Sequence, residues 1–219
     1  MIKIAASTCP CPEDKQLEYA LLLQKSGLDY LHCDVVDGKF ASYVRLSVDK
    51  VKELSYGCLL LIDVHLMVQN TMEEIKKYLN ADVNIITIQY ESFNNNEEVF
   101  RAIKKIKSEN VLAGISIKPE TPVEAIYPFL SEVFLIMALS VKPGKSGQEF
   151  ITSTFDKFKK LNEFRKANKL NFKIQADGGV NTGNIAKLKK LGVDIAVVGS
   201  ALYNAKNKKE YIQLLKSAQ

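Results

Sequence analysis

Short apolar runs rich in β-branched residues recur along the chain, and a longer amphipathic stretch follows each of them. The runs predict strands over residues 2–7, 30–34, 59–66, 83–89, 111–117, 133–140, 172–177 and 195–198. The amphipathic stretches predict helices over about 12–25, 48–54, 71–79, 97–107, 122–129, 153–168, 182–191 and 208–217. Strands that are apolar on both faces and joined by helices are typical of a parallel sheet.

Residues that favour helix ends support several of these boundaries. Thr71 and Thr182 are predicted N-caps because a threonine hydroxyl accepts hydrogen bonds from free backbone N–H groups. Gly27 and Gly192 are predicted C-caps because glycine adopts the left-handed conformation that often ends a helix.

Eight strand–helix units in 219 residues predict a single α/β domain over residues 1–219, built as a (β/α)8 TIM barrel. A doubly wound open sheet is the alternative. Polar residues at or near the carboxyl ends of six strands favour the barrel, because its strand ends converge on one mouth. These residues are His32, Asp34, His65, Gln89, Ser140, Asp177 and Ser200.

Composition narrows the class of protein. The chain is 47% hydrophobic and 25% charged, with a net charge of +5 and lysines spread along its length. This even distribution does not favour a nucleic-acid partner. No apolar run reaches the roughly 18 residues of a membrane span, and the start of the chain lacks a signal-peptide pattern. The four cysteines lack the paired spacing of a zinc ribbon, so we expect a cytoplasmic protein with reduced thiols.

The two histidines of the chain are the strongest candidates for chemistry. His32 and Asp34 share one face of a predicted strand, as do Asp63 and His65, because alternate strand residues point the same way. With Asp177 they predict a divalent-metal site of His32, Asp34, His65 and Asp177, whose two nitrogen and two oxygen donors suit Zn, Mn or Fe(II). Asp63 lies two residues before His65, on the same face but deeper in the predicted barrel, and is not included in this set. The alternative is a pair of hydrogen-bonded core histidines.

Glycines after the last predicted strands suggest an anion site. Gly178 and Gly179 follow the seventh strand, and Gly199 and Ser200 follow the eighth, where barrels often bind phosphate. Ordinary tight turns would give the same pattern. Residues 141–148, after the sixth strand, form either a lid over a small substrate or a plain surface loop.

At the level of whole motifs, the chain resembles the ribulose-phosphate 3-epimerase family over essentially its full length. The motifs that carry the resemblance are HCDVVDGKF from His32, DVHLMV from Asp63, KPETP from Lys118, PGKSGQEF from Pro143 and DGGV from Asp177.

The resemblance implies a (β/α)8 barrel enzyme of the pentose phosphate pathway that interconverts D-ribulose 5-phosphate and D-xylulose 5-phosphate. It implies one divalent metal, no organic cofactor, a sugar phosphate as the small-molecule partner, and a homo-oligomer. Asp34 and Asp177 match the family's acid/base pair, working through a metal-stabilised enediolate. They also match its metal ligands, together with His32 and His65. The matched substrate-binding residues are Ser7, Met67, Gly144, Gly147, Gly178, Gly179, Gly199 and Ser200.

Several positions depart from the family pattern. Val36 and Leu139 replace methionines, Gln89 replaces a histidine, and Gln175 replaces a glutamate. These changes keep a hexulose 6-phosphate such as allulose 6-phosphate open as the substrate. Decarboxylating or aldol barrels are a further alternative, and so is a non-catalytic barrel that binds a sugar phosphate or a protein partner.

Overall fold

The computed structural model describes residues 2–143 and 147–218 and contains eight parallel strands closed into a barrel. An additional strand of two residues, Val44–Arg45, pairs antiparallel with the second strand of the chain. In chain order the strands are β1 Lys3–Ser7, β2 Tyr30–Asp37, β3 Val44–Arg45, β4 Leu61–Met67, β5 Ile85–Gln89, β6 Leu112–Ile117, β7 Leu135–Leu139, β8 Lys173–Asp177 and β9 Ile195–Val198.

Helices connect the strands. The α-helices are α1 Gln16–Lys25, α2 Val48–Gly57, α3 Thr71–Tyr78, α4 Asn96–Ser108, α5 Phe155–Ala167, α6 Ile185–Lys190, α7 Ser200–Tyr203 and α8 Lys208–Ser217. Short 3-10 helices span Glu13–Lys15, Tyr90–Ser92, Val123–Phe129 and Thr152–Thr154. In the described part of the chain, no helix has the length and apolar character needed to cross a membrane.

Strand β1 closes the barrel because it pairs in parallel with both β2 and β9. The predicted (β/α)8 barrel is therefore confirmed. Parallel pairing brings the carboxyl ends of all eight strands to one mouth of the barrel. The polar residues at these strand ends were predicted to converge there.

The barrel interior is layered. Near the amino ends of the strands, Ala5, Ile85, Leu135 and Ile195 form a small apolar cluster, separate from the larger core between strands and helices. Above it the interior becomes polar. A side chain at Gly114 would place its Cβ 2.4 Å from the Thr87 hydroxyl, so only glycine fits there. The apolar lower layer supports the polar residues that face the mouth.

The predicted N-caps are wrong. Asn70 precedes α3, and the Thr71 hydroxyl donates to the carbonyl of Val68 instead of capping the helix. Helix α6 begins at Ile185, three residues after Thr182. Thr71 is already the first residue of α3, whereas residues 182–184 form a turn before α6 begins. The two predicted C-cap glycines are confirmed by positive φ angles of 84° at Gly27 and 93° at Gly192.

One predicted helix has a different form. Residues 123–129 form a 3-10 helix, which contains Pro128. Proline has no backbone N–H and its ring clashes with an α-helical turn, so the tighter, shorter helix is the form that accommodates it.

Candidate metal centre and active site

Strands β2, β4 and β8 bring the four predicted ligands together. Asp34 and His65 are register partners on adjacent strands, and Asp177 ends β8. One ligand atom from each of His32, Asp34, His65 and Asp177 lies within 4.8 Å of the others. The two imidazoles are fully buried, and the Asp177 side chain is 16% exposed. This group can hold a divalent ion.

The orientation of His32 is set from below by Asp63. Its Nδ1 lies 2.8 Å from Asp63 Oδ2, and the Gln175 amide donates to the same oxygen at 2.7 Å. An ionised carboxylate accepts hydrogen bonds only, so Nδ1 carries the proton in the neutral ring. The lone pair then lies on Nε2, which is 3.2 Å from Asp34 Oδ1. Asp63 therefore acts outside the ligand set, as its register predicted.

His65 is oriented through its other nitrogen. Its Nε2 lies 2.7 Å from the Gln89 side-chain oxygen, and its Nδ1 lies 3.3 Å from Asp34 Oδ1. Two imidazole nitrogens therefore face one carboxylate oxygen. When both rings are neutral, their lone pairs and the carboxylate repel each other unless a cation lies between them. A divalent metal meets this requirement, and the N2O2 donor set suits Zn, Mn or Fe(II).

The charges of this cluster are strongly coupled. Burial disfavours the ionised form of Asp34, but the neighbouring His32 and His65 hold the pKa of its carboxyl well below the usual range. Burial and the nearby Asp34 raise the pKa of Asp177 to about 6. Burial opposes charging of His32, yet Asp34 and Asp63 raise its pKa well above the usual value. The two candidate acid/base carboxyls thus differ widely in proton affinity.

A cavity of about 420 Å³ opens above this cluster. Asp34 and Asp177 face it, while His32 and His65 lie buried beneath. The Ser7 hydroxyl donates to Asp34 Oδ2 at 3.2 Å. Gly144 falls outside the described residues. The remaining predicted substrate-binding residues line the cavity together: Ser7, Met67, Gly147, Gly178, Gly179, Gly199 and Ser200.

Gly178 and Gly179 make one wall of the cavity and leave no room for side chains. Their φ angles are 110° and 66°, in the region that L-residues rarely adopt. A Cβ on Gly178 would lie 2.9 Å from the backbone nitrogen of Val141, and one on Gly179 would lie 2.6 Å from that of Phe150. The two glycines therefore place bare backbone against the cavity.

We expect Gly179→Ala to damage both stability and substrate binding. Positive φ and the overlap with Phe150 should together cost about 2–3 kcal/mol and lower Tm by roughly 4–12 °C. The KM for a phosphate-bearing substrate should rise about tenfold, a loss near 1.4 kcal/mol. Thermal unfolding and steady-state kinetics measure these effects.

Gly27→Ala is the matched control. Its φ of 84° is left-handed like that of Gly179, but apart from its chain neighbours no described residue lies within 4 Å of a Cβ placed there, and Gly27 does not line the cavity. The control therefore carries the cost of the backbone conformation alone, about 1 kcal/mol or roughly 2–4 °C in Tm, and the KM should not change. Equal destabilisation by the two variants would contradict the steric argument.

Other residues that line the cavity were not predicted as substrate-binding, among them Cys9, Tyr43 and Leu139. Cys9 follows Ser7 by two residues, so the strand alternation extended past β1 would have indicated it. Tyr43 comes from the β2–β3 hairpin, which the sequence pattern did not predict. Burial raises the pKa of Tyr43 to about 12, so its phenol stays protonated near neutral pH. It is thus available as a hydrogen-bond donor at the cavity wall.

Comparison with known proteins identifies the family of this chain. The model of the "Ribulose-phosphate 3 epimerase family" matches residues 3–203. The chain belongs to this family. Among curated relatives, the ribulose-phosphate 3-epimerase of Buchnera aphidicola is 37% identical over 192 residues, covering 84% of this chain and 80% of the relative. The Aquifex aeolicus enzyme is 33% identical over 193 residues, covering 88% and 86%. The Methanocaldococcus jannaschii enzyme is 30% identical over 218 residues, covering 100% and 91%.

Solved structures support the family's fold at much lower sequence identity. KGPDC from Streptococcus mutans superposes with a TM-score of 0.75 at 13% identity, covering 100% of this chain and 97% of that one. A 3-hexulose-6-phosphate synthase from Salmonella typhimurium superposes with a TM-score of 0.71 at 13% identity, covering 99% and 98%. These two likenesses show a shared barrel and nothing about the reaction.

Proposed function

We propose that this member of the family is a metal-dependent isomerase that interconverts D-ribulose 5-phosphate and D-xylulose 5-phosphate. One observation carries the proposal: Asp34 and Asp177 face the same cavity from β2 and β8, directly above two buried imidazoles that complete a ligand set. A barrel that only binds a sugar phosphate has no need of two such carboxyls.

Epimerisation at C3 needs a proton carrier on each face of the sugar. One aspartate takes the C3 proton, and the electron pair of the broken C–H bond moves into a C2–C3 enediolate. The other aspartate then gives a proton to C3 from the opposite face. The two carboxyls differ in their surroundings, since the neighbouring histidines favour the ionised form of Asp34 whereas burial beside Asp34 favours a proton on Asp177. Such a pair suits an acid and a base that work together. Either aspartate serves as base, depending on the direction of reaction.

The metal belongs to His32, His65 and the two aspartates, and we propose Zn, Mn or Fe(II) as its identity. When bound, a divalent ion supplies positive charge that stabilises the negative charge of the enediolate. The protein itself excludes water from the base of the site, where both histidines are fully buried. The Ser7 hydroxyl, which donates to Asp34, holds that carboxyl in place.

The phosphate end of the substrate is assigned to the glycine wall. Gly178 and Gly179 expose backbone at the end of β8, and Gly199 and Ser200 follow β9 on the adjacent strand. Backbone N–H groups at these positions are suited to phosphate oxygens. We further propose that the protein acts in the cytoplasm as a homo-oligomer, as the family resemblance suggests.

A side-by-side assay separates the pentulose from the hexulose substrate. The metal-loaded protein is offered ribulose 5-phosphate and allulose 6-phosphate at equal concentration, and product formation is followed for each. We expect the kcat/KM for the pentulose to exceed that for the hexulose by at least tenfold. A preference for allulose 6-phosphate would assign the protein to the hexulose reaction, and turnover of neither would reject the epimerase proposal.

A further inference from the structure

The two buried histidines differ in what orients them. His32 donates to a carboxylate, Asp63, which can only accept a hydrogen bond. His65 faces a side-chain amide, Gln89, at 2.7 Å. An amide presents either its oxygen or its NH2 group, so by itself it does not decide which nitrogen of His65 carries the proton. Something beyond Gln89 has to make that choice.

Glu91 lies next along this chain of contacts. One of its carboxylate oxygens accepts a short hydrogen bond from the Gln89 NH2 group. Because an ionised carboxylate has no proton to donate, the Gln89 NH2 must point toward Glu91. The Gln89 oxygen then points toward His65.

Glu91 is itself held firmly in place. Its other oxygen accepts from the backbone N–H of Lys118 at 2.8 Å and from the Thr121 hydroxyl. The Lys157 ammonium donates to the carbonyls of Lys118 at 3.0 Å and of Thr121. The segment 118–121 and the start of the 3-10 helix at Tyr90–Ser92 are therefore tied together around the Glu91 carboxylate.

We propose that Glu91 is a positioning residue that sets the tautomer of His65 through Gln89. The hydrogen bonds from Gln89 to Glu91 and from His65 to Gln89 form a relay. This relay keeps the proton on His65 Nε2 and the lone pair on Nδ1, the nitrogen that faces Asp34 and the proposed metal. This inference rests on the metal site of the proposed function, but its direct readout is the tautomer itself. Outer partners of metal-bound histidines typically change metal affinity 10- to 100-fold when mutated.

Glu91→Gln reverses the relay while keeping the side-chain shape. The oxygen of the amide introduced at position 91 would stay with the donors Lys118 N–H and Thr121, so its NH2 group would face the NH2 of Gln89. Two donors repel, and the Gln89 amide should rotate to present its NH2 to His65. The proton of His65 should then move to Nδ1. Metal affinity should fall 10- to 100-fold.

The double variant Gln89→Glu with Glu91→Gln is the matched rescue. The carboxylate introduced at position 89 would accept from His65 Nε2–H with one oxygen and from the NH2 group introduced at position 91 with the other. This restores the original order with the same net charge. Metal affinity and the His65 tautomer should therefore return to within about threefold of wild type. Thr121→Val, which removes one donor to Glu91 and leaves Lys118 N–H, should have little effect.

Two measurements decide the matter. Nitrogen-15 NMR of the zinc-loaded protein shows which nitrogen of each histidine carries the proton and which faces the metal, and only two histidines need assignment. Calorimetric titration with Zn²⁺ gives the affinity of each variant. Protonation of wild-type His65 at Nδ1 would overturn the proposal even if no variant folds. An unchanged Zn²⁺ affinity in Glu91→Gln, or failure of the double variant to restore the affinity, would also overturn it. If the wild-type protein shows the expected His65 tautomer and binds Zn²⁺ but turns over no substrate, the role of Glu91 stands and the proposed reaction is rejected.

Discussion

Asp177→Asn is expected to lower kcat/KM about 10³-fold or more, because it removes a proton carrier and a metal ligand together. The amide keeps the size of the carboxyl but cannot take up or release a proton at neutral pH. A positioned acid or base alone contributes about 10²–10⁴-fold. Steady-state epimerisation of ribulose 5-phosphate measures the loss.

The two contributions are separated by saturating the variant with metal. Restored metal occupancy without restored turnover isolates the proton-transfer role. Asp156→Asn is the control, since Asp156 lies on α5, away from the cavity. It should keep wild-type activity. An Asp177→Asn protein that turns over at the wild-type rate would reject the two-carboxylate mechanism.

Removal of the metal should abolish activity and destabilise the fold. Without a cation, two imidazoles and two carboxyls remain crowded within 4.8 Å of one another. Chelation should reduce turnover at least about 100-fold. A metal present at about 1,000 times its Kd adds roughly 4 kcal/mol to the free energy of unfolding, and that contribution is lost with it. Activity assays and thermal unfolding of chelated and reloaded protein test both effects.

The metals that restore activity provide the control. Zn²⁺, Mn²⁺ or Fe²⁺ should restore it, because imidazole ligands suit these ions. Mg²⁺ should not, because it prefers oxygen ligands and near-ideal octahedral geometry. Full activity in the chelated protein would show that the cluster is a hydrogen-bonded core and not a working metal site.

The sequence predicted the barrel and its mouth because both follow from short-range regularities. Alternation placed His32 with Asp34 on one strand, and the repeated strand–helix unit implied that the carboxyl ends of the strands converge. The family model then confirmed the resemblance over residues 3–203.

The features of the site that the sequence did not predict depend on contacts between distant segments. The orientation of Gln89 depends on Glu91, whose own position depends on residues 118–121 and on Lys157. The N-cap predictions failed for a local reason: Thr71 is already the first residue of α3 and donates back to Val68, and residues 182–184 form a turn before α6 begins at Ile185. Tyr43 reaches the cavity because β2 and β3 pair as a hairpin. The pattern of apolar and polar residues did not predict this hairpin.

The most direct test of the central claim is solvent-hydrogen exchange at C3. Metal-loaded protein converts ribulose 5-phosphate in D2O, and the xylulose 5-phosphate formed early is analysed by NMR and mass spectrometry. Proton removal on one face and return on the other predict one deuterium at C3 of the product. With Asp177→Asn, C3 exchange should persist in only one of the two epimers, the one whose C3–H faces Asp34. Product that retains the original hydrogen at C3 would contradict the account.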